Sequence, residues 1–200
     1  MNAHLVYNAL SQEFIDKGTA STPVFDKDFT VLMLCSLKAY KGVNEFVALA
    51  QSLPQLRFEL VINASLIEID RFFKTTDFPS NLSLFPSQQN VHPFYQRANL
   101  VVNLSHPLKW VETFGLTALE AMCYGLPVVV PPVGGIAELV ENDFNGFKID
   151  VRDTEELSLK LSSLSASKAD YLRLSHTARI KSQAFQPQSL AAQALEVILS

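Results

Sequence analysis

Five times in succession a short apolar run is followed by a segment with helical spacing, and no other feature of the 200-residue sequence constrains its fold as tightly. The runs are TVLMLC at 30–35, ELVI at 59–62, LSLF at 82–85, LVVNL at 100–104 and VVV at 128–130. The first is followed by GVNEFVALAQSL, with Val43, Phe46, Val47 and Ala50 at helical spacing, and the others by LIEIDRFF, VHPFYQRA, GLTALEAMCY and IAELV. Strands this short and apolar are buried on both faces, as in a parallel sheet covered by helices and not in a half-solvated antiparallel one. A sixth short strand, GFKI at 146–149, closes the series, and beyond Asp153 the pattern is helical: TEELSLKLSSL, KADYLRLSHTARIKSQ and, after Pro187, QSLAAQALEVILS. The expected fold is therefore α/β, a Rossmann-like parallel sheet of about six strands with helices on both faces, in one domain over 1–200. Residues 1–29, polar and carrying Gly18, Ser21 and Pro23, read as an arm leading into the sheet, and 186–200 as a final helix.

Composition narrows the function classes. With 48% hydrophobic and 18% charged residues the chain fills a core, which excludes disordered and low-complexity readings. A net charge of -4 argues against a sequence-independent grip on nucleic acid, so any anion must be held locally. Cys35 and Cys123 make neither a disulfide framework nor a metal pattern and read as buried thiols of a reducing cytosol. His4, His92, His106 and His176 form no spaced cluster with other ligand types, so no metal site is expected. The chain lacks a G-x-S-x-G elbow, a Walker-type loop and G-x-G-x-x-G. Its longest uncharged run, Ala121 to Ala137, is broken by Gly125, Pro127, Pro131 and Pro132, so neither a signal peptide nor a membrane span is expected.

Parallel sheets of this kind bind ligands beyond the carboxyl ends of their strands, which directs attention to the loops after Cys35, Ile62, Phe85, Leu104 and Val130. The richest is SHPLKWVETFGLTALEAMCYGLPVVV, in which Glu120 is the one charged residue between Thr113 and Ala137. A carboxylate in so apolar a helix needs donors, supplied either by a distant side chain or by a ligand. Glu112 stands eight residues earlier, roughly 12 Å away if the whole stretch is helical, whereas glycosidase carboxyls lie roughly 5 to 9.5 Å apart. The spacing better suits one long ligand with two hydroxyl-bearing groups. Between the glutamates, Phe114, Gly115, Leu116 and Thr117 open a helix whose first amides lack intrahelical partners and suit a phosphate. Gly115 serves either close approach of a ligand or the geometry of the helix start, and Gly134-Gly135 offer a second amide-rich turn. Lys38 and Lys41, just past a strand end, can reach a diphosphate or remain solvated. Trp110 reads as a lid, an interface residue or simple packing.

The stretch ETFGLTALEAMCYGLPVVVPPVGGIAELVENDFNGFKI resembles the donor-binding signature of retaining GT-B glycosyltransferases, the group typified by glycosyltransferase family 4. Two glutamates with seven residues between them, then Glu-Ala-Met, Gly-x-Pro-Val, Gly-Gly-x-x-Glu and Asn-Gly, follow in the family order. VYNALSQEF is similar to the interdomain segment, LMLCSLKAYKGVNEFVALA to the first unit of the donor domain and FQPQSLAAQALEVIL to the final helix, so the resemblance covers nearly the whole chain. It implies the C-terminal, donor-binding half of a GT-B fold, with the N-terminal acceptor domain outside this chain. By position Glu120 would hold the ribose hydroxyls, Glu112 the transferred sugar, the amides around Gly115 to Thr117 the phosphates, and Lys41 the diphosphate. Phe85 and Pro86 stand where the family's backbone holds the base, and Glu112 and Lys41 are the implied catalytic pair. No cofactor or metal is implied: the donor is a nucleotide-diphospho-sugar, expected to be a UDP-sugar. The acceptor is a glycan or lipid-linked molecule of surface polysaccharide or lipopolysaccharide assembly, reached from the cytoplasm with the full-length enzyme peripheral to the inner face of the membrane. Alternatives are a binding module without transferase activity and, less well matched, a GT-B sugar-nucleotide epimerase. The chain departs from the family pattern at Cys35-Ser36, where a Gly-Arg pair supplies a phosphate-clamping arginine that Lys38 would replace, at Pro86 in place of Gly, and at Asn99 in place of Asp.

Overall fold

The computed structural model describes residues 8–25 and 28–187. Six strands, β1 (Thr30–Ser36), β2 (Arg57–Asn63), β3 (Leu82–Phe85), β4 (Leu100–Val102), β5 (Val128–Val130) and β6 (Gly146–Lys148), form one wholly parallel sheet in the order β3-β2-β1-β4-β5-β6. The order reverses between β1 and β4, so both crossovers leave from the middle of the sheet and their loops splay apart there.

Alternation along the strands sorts side chains to two cores. Val31, Met33, Leu60 and Ile62 meet α2 (Val43–Ser52), α3 (Leu66–Phe72), α7 (Thr154–Ala166) and the first half of α8 (Lys168–Ser182). Leu32, Val61, Val101 and Val128 face the other way, toward α4 (His92–Arg97), α5 (Leu116–Cys123) and α6 (Gly135–Glu138). A residue shift of one in any central strand would exchange these sets, so register is fixed by burial on both faces.

The polar amino-terminal segment read as an arm carries a helix that its sequence did not suggest: α1 spans Gln12–Ala20. Ser11 caps it by accepting from the Phe14 amide, Lys17 pairs with Glu13 one turn earlier, and Ile15 is buried. Gly18, a weak helix former, is present because α1 lies hard against α5: a Cβ there would stand 2.6 Å from the Cys123 sulfur. Arg179 of α8 fastens this corner, donating to the carbonyls of Thr19, Ser21 and Tyr124 at 2.9, 2.7 and 3.1 Å. Of the expected final helix at 186–200, residues 188–200 lie outside the described residues, as does His4.

Candidate functional site

The β1 and β4 ends open onto a cleft of about 330 Å³ lined by Leu34 to Ser36, Lys41, Asn103 to Ser105 and Glu112 to Thr117, with Asn8 from the amino-terminal segment at its rim. A second hollow of about 410 Å³ continues toward the β2 and β3 ends, lined by Asn63, Ser87, Gln88, Val91 and Glu120. The two share Leu34, Cys35, Ser36 and Thr117 and so form one groove across the carboxyl edge of the sheet. The glutamates occupy its two halves, Glu112 in the first and Glu120 in the second.

The helical ruler between them holds only in part. Helix α5 begins at Leu116, and Glu112 to Phe114 precede it in irregular backbone. Gly115 is the N-cap, at φ +85° in the left-handed region, and a Cβ there would meet the Ile136 side chain at 2.3 Å. The helix start therefore requires glycine whether or not a ligand approaches it. Phe114 is buried in the core although it borders the cleft, while Leu116 is about half exposed. The first hydrogen bond of α5 runs from the Ala118 amide to the Gly115 carbonyl at 3.0 Å, so the amides of Leu116 and Thr117, two residues that line the groove, precede the helix's own bonds.

Both carboxylates have partners that spacing did not predict. Glu112 Oε1 pairs with the Lys41 ammonium and accepts from Ser105 Oγ at 3.3 Å. Lys41 and Glu112 are only 14% and 16% exposed, so each charge is mostly withdrawn from water and depends on the other. Glu120 accepts from the buried Tyr95 hydroxyl of α4 at 2.6 Å. Burial raises the Glu120 carboxyl above its ordinary value and the Tyr95 hydrogen bond pulls part of the way back. The Tyr95 phenol is itself held well above its usual range by burial and by the facing Glu120 charge. Of the two sources of donors left open for Glu120, a distant side chain is present, yet one hydroxyl bond leaves most of the carboxylate's acceptor capacity unused. Replacing Tyr95 by Phe should move the Glu120 titration, followed by carboxyl ¹³C shifts, to higher pH and destabilise the fold by about 1 kcal/mol. An unmoved titration would show that burial alone sets it.

The remaining candidates divide. Lys41 joins the site, whereas Lys38 is exposed and outside both hollows. Phe85 packs edge-on against Phe94 at 4.9 Å; neither it nor Pro86 lines the groove, which is taken up by the next residues, Ser87 and Gln88. The Pro86 carbonyl accepts from the Gln88 side chain at 3.0 Å. Gly134 and Gly135 also lie outside both hollows. Both admit the neighbouring backbone: a Cβ on Gly134 would lie 2.4 Å from the Glu112 carbonyl, and one on Gly135 1.9 Å from that of Thr113. Asn99 is at the opposite, amino end of β4, where its buried side chain accepts from the Thr30 amide at 2.7 Å and donates to the Val24 carbonyl. That departure from the family pattern is structural.

Cys123 is buried as expected, and Cys35, packed against the core with a minor part of its surface open, lines the groove. Burial pushes its thiol up to about 12, which makes it a poor nucleophile. Among the described residues no group of three His, Cys, Asp or Glu side chains is placed to hold a metal, and no helix is long and apolar enough to cross a membrane.

Strand order and the placement of the groove define the class: this is a doubly wound domain of the Rossmann type with a groove where the strand order reverses. Residues 15–181 match the family described as glycosyl transferases group 1, and the chain belongs to that family. It is 26% identical over 160 residues to an uncharacterized glycosyltransferase of Haemophilus influenzae, a match covering 77% of this chain and 44% of that protein. It is 36% identical over 104 residues to a D-inositol 3-phosphate glycosyltransferase of Xylanimonas cellulosilytica, covering 52% of this chain and 24% of the relative. The chain thus spans less than half the length of these relatives. Among solved structures, Anabaena Alr3699/HepE in complex with UDP and glucose is similar with a TM-score of 0.77 and 25% identity, over 98% of this chain and 56% of its own. The C-terminal domain of LpcC, a glycosyl transferase group 1 protein of Francisella tularensis, aligns along 100% of its length with 94% of this chain, with a TM-score of 0.66 and 17% identity. These comparisons agree with the Rossmann-like sheet expected for a GT-B glycosyltransferase.

Proposed function

We propose that this chain is the donor-binding, C-terminal half of a retaining glycosyltransferase. It would take a hexosyl-type sugar from a nucleotide diphosphate, with UDP the favoured carrier, and pass it to a glycan or lipid-linked acceptor in surface polysaccharide or lipopolysaccharide assembly. The observation that carries this reading is the order of chemistry along one continuous groove: a buried carboxylate at one end, helix amides in the middle, and a lysine-paired carboxylate at the other. Glu120, held by Tyr95, would accept from the ribose hydroxyls. The first-turn amides of α5 and the Lys41 ammonium would meet the diphosphate, and Glu112 the hydroxyls of the sugar. As the glycosidic bond breaks, negative charge grows on the departing diphosphate, and fixed amides and an ammonium stabilise it without a metal ion. The Anabaena neighbour solved with UDP and glucose supports a donor of this class.

The acceptor would be presented by an N-terminal domain beyond this chain, working from the cytoplasm beside the membrane, so that the chain alone binds donor but does not transfer. Calorimetric titration with UDP, GDP and ADP tests the reading: saturable binding that favours one base supports it, and no binding by any of the three sinks it. Glu112→Gln should leave the affinity for UDP within a few-fold but abolish the additional affinity of UDP-glucose over UDP, about 1 kcal/mol for a lost hydrogen bond. Equal losses for both ligands would make Glu112 structural.

A further inference from the structure

Lys41 and Glu112 come from different loops, the first after β1 and the second well beyond β4, and their meeting requires that the loops be locked together. The lock is visible around His106. Its backbone amide donates to the Tyr40 carbonyl at 2.8 Å, and its ring Nε2 lies 2.8 Å from Glu45 Oε1 in the first turn of α2. The His106 carbonyl accepts from the Lys109 and Trp110 amides at 3.0 and 2.9 Å, folding the following turn back on itself. That turn lays the Trp110 ring flat on Tyr40, with centroids 5.2 Å apart and planes inclined by 18°. The Lys41 ammonium then sits 4.9 Å above the Trp110 ring while it pairs with Glu112.

Other features argue that the His106–Glu45 contact is built rather than incidental. The His106 side chain is 14% exposed although it lies in a loop, and the second Glu45 oxygen is buried with no hydrogen-bond partner among the described residues. A buried carboxylate oxygen left unsatisfied costs stability, so the bond on the other oxygen is one the fold retains at some expense. His106 is absent from the groove lining and touches neither hollow, which separates it from a role in contacting ligand. Its ring bears on the groove only through the loop it anchors.

We propose that His106 is a positioning residue: by bridging the β4 loop to Glu45 of α2 it holds Trp110 against Tyr40 and thereby places Lys41 against Glu112. The consequence for ligand binding rests on the donor reading above, but the positioning itself can be measured without ligand. Trp110 is the only tryptophan in the chain, so intrinsic emission reports on this clasp alone. His106→Ala should shift Trp110 emission to longer wavelength and increase its quenching by acrylamide, with far-UV circular dichroism unchanged. His106→Gln, whose side-chain amide can donate in place of Nε2, should restore both values. Glu45→Ala removes the same bond from the helix side and should reproduce the shift, and the double substitution should add nothing, because both break one contact. It also keeps the question decidable should His106→Ala fail to fold. In the ligand arm, His106→Ala should weaken UDP binding about three- to tenfold, the size of one hydrogen bond lost, and leave uridine binding unchanged because the Glu120 end of the groove is untouched. Unchanged Trp110 emission and quenching in both single variants would overturn the proposal. A wild-type chain that shows the clasp by fluorescence yet binds no UDP would overturn the donor reading and uphold the positioning role.

Discussion

Glu120→Ala should weaken UDP binding by about 1–3 kcal/mol, the range for a charged hydrogen bond to a hydroxyl pair, while the chain remains folded. The residue lies on α5 with one face toward the second hollow, and among the described residues its one hydrogen-bond donor is Tyr95. Truncation removes the acceptor for the ribose and leaves the Tyr95 hydroxyl, buried in the protein, without its acceptor. A calorimetric Kd that does not change would take Glu120 out of the ribose role. Glu120→Gln separates binding from stability. Because burial lifts the Glu120 carboxyl above its ordinary value of 4.5, the native state holds a proton that the unfolded chain releases in the window between the two values. The associated stability is full below 4.5 and is lost as pH rises through the raised value. The neutral amide has no such loss, so Glu120→Gln should raise Tm at neutral pH and give no advantage at acid pH, even as it binds UDP less well. A variant that is less stable at every pH would mean the charged form is the one the fold prefers.

Gly135→Ala should be damaging although Gly135 lines neither hollow. Its added Cβ would stand 1.9 Å from the Thr113 carbonyl oxygen and 2.8 Å from the carbonyl carbon. Both are backbone atoms, which cannot rotate away as a side-chain end can. Either α6 lifts from the 112–114 segment or that segment shifts, and overpacking of this kind costs about 1–3 kcal/mol, at the upper end where backbone must move. The shift would carry Glu112 with it, so UDP-glucose binding should fall together with the urea midpoint. Gly134→Ala adds strain from its left-handed backbone, at φ +87°, to a contact of 2.4 Å with the Glu112 carbonyl. Retention of full stability in Gly135→Ala would show that the loop has slack which this packing denies.

Much of the sheet was legible because its signals are local. VVV and LSLF are bounded by turn residues, and the strands found at 82–85 and 128–130 coincide with those runs; VVV is buried throughout, whereas LSLF, on the edge of the sheet, stays partly exposed. The first helix was missed because its apolar stripe is thin: only Ile15 and Gly18 are buried, so the segment reads as polar until α5 is laid against it. At the site, Glu112, Glu120, Lys41 and the start of α5 were visible as residue types in suggestive order, and all reach one groove. Phe85 and Pro86 came from the family resemblance and Lys38 and the two glycines from their loops after strand ends; none of them lines the two hollows, because position in the chain tells where the backbone passes but not which way it faces. Tyr95, Ser105 and Trp110's partner Tyr40 carried no signal, since nothing in a phenol or a hydroxyl marks the carboxylate or ring it will meet.

By itself the sequence determined the layered parallel architecture, the two carboxylates and the helix start between them, because hydrophobic period and glycine at a turn act over a few residues. Only the tertiary structure decided that Glu120 would be held by a tyrosine 25 positions away, that Lys41 and Glu112 would pair across 71, and that Gly134 and Gly135 would stand against the backbone of Glu112 and Thr113. Burying a charge obliges the fold to supply a partner, and which side chain answers depends on the elements that packing brings alongside.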